Sequence, residues 1–189
     1  MTPVKQDGAK RAREFLEKYK DVDNFEVHGY ERFVYQYIRR EFPDEVDYDI
    51  NQMRIYALDI EVQCENGFPS PEQAIEPLLS ITVKNHQSKK FVVWGVGKFN
   101  NNRDDVTYVE CESELHLIKE FLIFWEKHQP DVITGWNTKF FDLPYLMNRI
   151  KLIAGDKVAN RMSPWNMANR EEINVRGRPQ TVYNLYGIA

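Results

Sequence analysis

The chain has 189 residues, 42% hydrophobic and 13% aromatic, enough to enclose a substantial core in one domain with a small appendage. Its net charge of −4 excludes a protein that coats nucleic acid by bulk positive charge, so any contact with a polyanion must be local. Cys64 and Cys111 lack CxxC spacing, which argues against a disulfide scaffold or structural zinc site, and no apolar run has the length of a membrane span or a signal-peptide core.

Residues 9–20 are charged and rich in helix formers, and read as a surface helix with a thin apolar stripe. Phe25 to Tyr30 read as a short strand or turn. Glu31 to Phe42 read as a second helix, with Phe33, Tyr37 and Ile38 spaced for one face and Pro43 as the stop. Asp44 to Gln52 form an acidic connector, which places a boundary near residue 50 between a small N-terminal helical appendage and the main domain.

Ile55-Tyr56-Ala57-Leu58-Asp59-Ile60-Glu61-Val62 reads as a strand, and its period of two puts Asp59 and Glu61 on one face. The neighbours are apolar enough for a central strand. Two adjacent buried carboxylates there cost several kcal/mol unless a cation lies between them, which points to a divalent metal. A loop rich in Gly and Pro follows from Gln63 to Pro77. Leu78–Lys84, Phe91–Trp94 and Val106–Glu110 read as strands of an antiparallel meander. Ser113 caps a helix whose Leu115, Ile118, Leu122 and Trp125 face the sheet, up to the stop at Pro130. Asp131 to Gly135 form a short strand parallel to the first, because a helix crosses between them. A further helix begins near Asp142, with Pro144 in its first turn and Gly155 at its end. Glu171 to Tyr186 form a hairpin about Arg176-Gly177-Arg178-Pro179. The order predicts an α/β fold, a mixed sheet flanked by helices.

Asp142 lies just past the end of a strand, where open α/β sheets place their sites. With Asp59 and Glu61 it makes three oxygen donors suited to magnesium or manganese. Asp59-Ile60-Glu61 resembles the first exonuclease motif of family B DNA polymerases, and Asn137 through Phe141-Asp142 resembles the second. The flanks from Pro130 to Asn137 and from Pro144 to Arg149 are similar to polymerases of T-even-like bacteriophages. The resemblance covers roughly residues 50 to 188. It implies a ribonuclease-H-like mixed β-sheet, and it implies proofreading, the hydrolysis of the 3′-terminal phosphodiester of single-stranded DNA with two divalent metal ions (Mg2+ or Mn2+). By the same resemblance Asp59 ligates both metals, Glu61 one metal and the water or 3′ hydroxyl, and Asp142 the second metal. The location implied is the cytoplasm, that of the host cell if the chain is phage-encoded.

Family members carry a third motif, Tyr followed four residues later by Asp. The only such spacing here, Tyr19 to Asp23, is upstream of the first motif and is not its equivalent. Residues 51–189 are therefore expected to be an exonuclease domain truncated before its third motif, and residues 1–50 a remnant of the polymerase N-terminal domain or linker. Two readings follow: one piece of a split polymerase completed by a second chain, or a catalytically incompetent DNA-binding or assembly fragment. Phe68 is similar in position to aromatics that hold the frayed primer end, and Asn137 and Phe141 also fall near that strand. Trp136 and Phe140 are expected in the core. From Arg149 to Arg178, seven Lys or Arg stand against three acids. Arg149, Lys151 and their neighbours either track a phosphate backbone or form a solvated loop face.

Overall fold

A period of two governs the middle of the chain. In the computed structural model, strand β1 (Ile55–Val62) buries Tyr56, Leu58 and Ile60 and turns Asp59 and Glu61 the other way. The structure describes residues 9–23, 33–45, 47, 49–65 and 67–189, and the chain divides into two compact units, Met1–Tyr48 and Asp49–Ala189. The first contains α1 (Ala9–Tyr19) and α2 (Phe33–Glu41). On α2, Tyr37 and Ile38 are both exposed. The expected strand or turn at Phe25 to Tyr30 lies outside the described residues, as do Glu31 and Arg32 of the expected second helix.

The second unit is built on a five-stranded sheet in the order β4-β3-β2-β1-β5, with β2 (Leu78–Asn85), β3 (Phe91–Val96), β4 (Val106–Cys111) and β5 (Val132–Thr134). β1 lies inside the sheet, antiparallel to β2 and parallel to β5. β2 and β3 pair antiparallel, but β3 and β4 pair parallel, so the expected meander is corrected at its last step. The loop 97–105 makes this possible, because an extended chain covers about 3.3 Å per residue and can run back along a short strand without a helix.

One face of the sheet is apolar. Tyr56, Leu58, Ile60, Ile81, Val83 and Trp94 join a core with Leu117, Phe121 and Trp125 of α3 (Glu114–Lys127) and with Tyr145, Leu146 and Ile150 of α4 (Asp142–Ala154). Each such side chain, fully buried, contributes about 1.5–3 kcal/mol. On α3 the inward face is centred on Leu117, Ile118, Phe121, Leu122 and Trp125, while Leu115, expected inward, is exposed. Trp125 keeps its indole N–H satisfied by donating to the Met162 carbonyl at 2.8 Å. A four-residue helix, α5 (Asp156–Ala159), then leads to a hairpin of β6 (Ala168–Val175) and β7 (Arg178–Leu185). Its two-residue turn has Arg176 at φ 52° and Gly177 at φ 81°, the doubly left-handed conformation that matches the twist of paired strands.

Candidate active site

Asp59 and Glu61 are two residues apart on one face of β1 and both are exposed. The expectation that this pair is buried is corrected. β1 is central by pairing, but the face carrying the acids is not the one sealed by the core, so water screens their repulsion. Just after Glu61 the register with β2 slips, Glu61 facing Ser80 and Val62 facing Leu78, an irregularity that ends the regular ladder beside the acids.

β5 is short and pairs only with Ile55, Tyr56 and Ala57. Beyond that point two side chains continue its work. The Thr138 hydroxyl, buried, donates to the Leu58 carbonyl at 3.2 Å, and Asp142 Oδ1 accepts from the Ile60 N–H at 3.1 Å. The loop from β5 to α4 turns tightly at Gly135, φ 152°, where a Cβ would meet the Leu58 carbonyl oxygen at 2.7 Å and crowd Thr138, so only glycine fits. Asn137, at φ 58°, accepts from the N–H groups of Phe140 and Phe141 through its carbonyl, at 2.9 Å each. The turn thus delivers Asp142 to the backbone between Asp59 and Glu61.

Asp142 is 3% exposed. Burial pushes its carboxyl up to about 6, the negative charges of Asp59 and Glu61 push the same way, and the Ile60 N–H opposes them. Three carboxylates make a hard oxygen-donor set, and a divalent cation would favour the ionised form of Asp142 that burial, above all, disfavours. Among the described residues no three His, Cys, Asp or Glu side chains converge closely enough to hold a metal ion as they stand. The fit is therefore one of donor chemistry on an open sheet face.

Beside the acids runs a groove of about 310 Å³ lined by Phe68, Pro71, Asn137, Phe140, Phe141, Val175 and Gln180. It brings together three of the five residues expected to contact DNA. Phe68 is 83% exposed, with its ring 5.0 Å from that of Phe141, a half-buried pair partner tilted against it. Trp136 was expected in the core and is instead 93% exposed, held out by the Gly135–Asn137 turn; Phe140 is half-buried.

Arg149 and Lys151 are not in this groove. Arg149 turns inward, making a two-pronged pair with Glu114 at 2.7 Å on each arm and donating to the Ala74 and Ile75 carbonyls. Its guanidinium is thus engaged inside the fold, by Glu114 and by those two carbonyls. Lys151 pairs with Asp156 at 2.6 Å, and Arg161 with Glu126 through both arms, so much of the basic run is neutralised within the fold. Tyr145, Asn148 and Arg149 form a polar row on α4 whose bonding role the sequence reading missed. All three bond to the loop after β1, Tyr145 to the Glu76 carbonyl and Asn148 to that of Pro71. The available signal was a set of polar groups at i, i+3 and i+4 inside an otherwise apolar helix.

Residues 22–189 match the family described as DNA polymerase family B, exonuclease domain. The DNA-directed DNA polymerase of Escherichia phage RB69 is 29% identical over 94% of this chain and 22% of the phage protein. That of Enterobacteria phage T4 is 27% identical over 99% of this chain and 23% of the phage protein. A DNA polymerase of Pyrococcus glycovorans is 33% identical over 72% of this chain. The chain thus spans under a quarter of the length of the phage relatives. With the match extending across both carboxylate motifs and the mixed sheet that carries them, the chain belongs to the exonuclease domains of family B DNA polymerases.

Proposed function

We propose that the uncovered end of β1 is the site of 3′-to-5′ proofreading hydrolysis, acting on the terminal phosphodiester of a single DNA strand. The observation that carries this reading is the bond of a buried Asp142 to the backbone between Asp59 and Glu61, next to a groove that its neighbour Phe141 lines, in a chain of this family. Asp59, Glu61 and Asp142 are the residues that would hold two divalent cations, magnesium or manganese. When bound, these supply charge neutralisation at the phosphate and an acidified water. The protein's own part is positioning. Phe68 and Phe141 offer ring faces to the terminal bases, a sequence-tolerant grip worth about 1–3 kcal/mol per base. Asn137, fixed in a left-handed conformation, offers its amide at the groove wall. The Ile60 N–H holds Asp142 Oδ1 and so leaves its other oxygen as the one available to a cation.

A Tyr-x-x-x-Asp motif, carried by a further segment of the same protein or by a second polypeptide, would complete the ligand set in this reading. The test is a 5′-labelled single-stranded oligonucleotide with manganese, incubated with the chain alone and with such a polypeptide. A ladder shortening from the 3′ end, lost in Asp59→Ala and in Asp142→Ala, is expected at least in the mixture. Internal cutting, or shortening indifferent to both substitutions, would overturn the reading. Among the described residues no helix is long and apolar enough to cross a membrane.

A further inference from the structure

The groove has walls from three separate parts of the chain: Phe68 and Pro71 from the loop after β1, Asn137 and Phe141 from the turn into α4, and Val175 and Gln180 from the hairpin. Loops and hairpin ends separated in this way drift unless something joins them. The joint is on α4. Asn148 Nδ2 donates to the Pro71 carbonyl at 2.8 Å, and Asn148 Oδ1 accepts from the Tyr183 hydroxyl of β7 at 2.5 Å. Its helical neighbours Tyr145 and Arg149 hold the loop at Glu76, Ala74 and Ile75. Of the three, Asn148 is the one that also bonds to the hairpin among the described residues. Burial raises the Tyr183 hydroxyl above its ordinary value, which keeps it a donor.

We infer that Asn148 is a positioning residue that bolts the loop wall to the hairpin wall and so sets the width of the groove that grips an unpaired 3′ end. This rests on the functional reading above. Only a carboxamide meets both demands: it donates on one side and accepts on the other from one planar group. Aspartate offers no donor to the Pro71 carbonyl, and alanine offers neither bond. The two bonds are half-buried, so breaking them leaves polar groups without partners and frees the walls to move apart.

The test uses the full chain in EDTA, so that binding is read without hydrolysis, and follows the anisotropy of a 5′-fluorescein-labelled single-stranded oligonucleotide with a free 3′ end. Asn148→Ala and Asn148→Asp are expected to raise Kd about 10-fold and Tyr183→Phe about 3-fold. Because both bonds act through one amide, the double variant Asn148→Ala with Tyr183→Phe should bind no more weakly than Asn148→Ala alone. Val109→Ala, on the far edge of the sheet, should lower thermal stability and leave Kd unchanged. Failure of the unaltered chain to bind would overturn the functional reading and this inference together. Binding by the unaltered chain with Asn148→Ala within twofold of it, or an equal loss in Val109→Ala, would overturn this inference alone. Tyr183→Phe removes a single oxygen and decides the matter if Asn148→Ala does not fold: unchanged binding overturns the inference.

Discussion

Helices α3 and α4 begin with the same device and use it for opposite ends. Each has an acid in its first turn whose carboxylate reaches a strand N–H: Glu114 accepts from Leu78 at 2.7 Å, and Asp142 accepts from Ile60 at 3.1 Å. Glu114 also receives both arms of Arg149, with Ser113 capping the helix by accepting from the His116 N–H. Asp142 has no such help. Phe141 at its cap makes no side-chain bond, no ion pair reaches Asp142 among the described residues, and the charged groups acting on it are Asp59 and Glu61. The difference separates a charge settled within the fold from one left for something outside it.

The contrast is open to breakage from either side. The largest effect is expected from Glu114→Ala, which strands a nearly buried guanidinium; a loss of about 3–5 kcal/mol in urea unfolding is expected, part of it recovered when Arg149→Met is added. Asp142→Asn should do the reverse. The Asp142 carboxyl sits at about 6 against an ordinary 3.8, so its folded form prefers the proton, and the stability it contributes is full below pH 3.8 and lost as pH rises through 6. At pH 8 without divalent ions, Asn at this position should therefore stabilise by up to ~3 kcal/mol, with the gain vanishing near pH 4. Manganese should raise the melting temperature of the unaltered chain and not of the variant; a flat pH profile for the difference would remove the contrast. Ser113→Ala should cost about 1 kcal/mol, measurable by thermal melting, since α3 depends on its cap. The smallest change in stability is expected for Asp59→Asn, within about 0.5 kcal/mol because the side chain is exposed. Its informative readout is the Asp142 titration by carboxyl NMR, which should move downward once one neighbouring negative charge is gone.

Periodicity made much of this legible. β1, β5, α4 and the hairpin turn follow directly from alternation, helix-stop residues and the Arg176-Gly177 dipeptide, and Asp142 follows from its place after a strand. Where the reading failed, composition was standing in for three-dimensional context. Apolar neighbours made β1 central but did not reveal that Asp59 and Glu61 stand on the face turned away from the core, so they were placed inside. Ring size suggested burial for Trp136, whereas the left-handed turn at Asn137 turns it out. Counting charges from Arg149 onward could not show that Glu114, Asp156 and Glu126 had already claimed Arg149, Lys151 and Arg161. Strand direction for β4 depended on the route of a loop, which residue type does not encode.

The early end of β5 has a kinetic consequence. Where a longer strand would have zipped onto β1 residue by residue, the gap is bridged by Thr138 and Asp142, side chains 80 and 82 positions along the chain from their partners Leu58 and Ile60. Contacts at that separation, like the β1–β5 pairing that closes almost the same loop, carry a large loop-closure entropy and come together only when distant parts of the domain have docked. The carboxylate cluster consequently has no local precursor. It takes shape in the same step that seats α4 on the sheet, so a partly folded chain presents Asp59 and Glu61 without their third member.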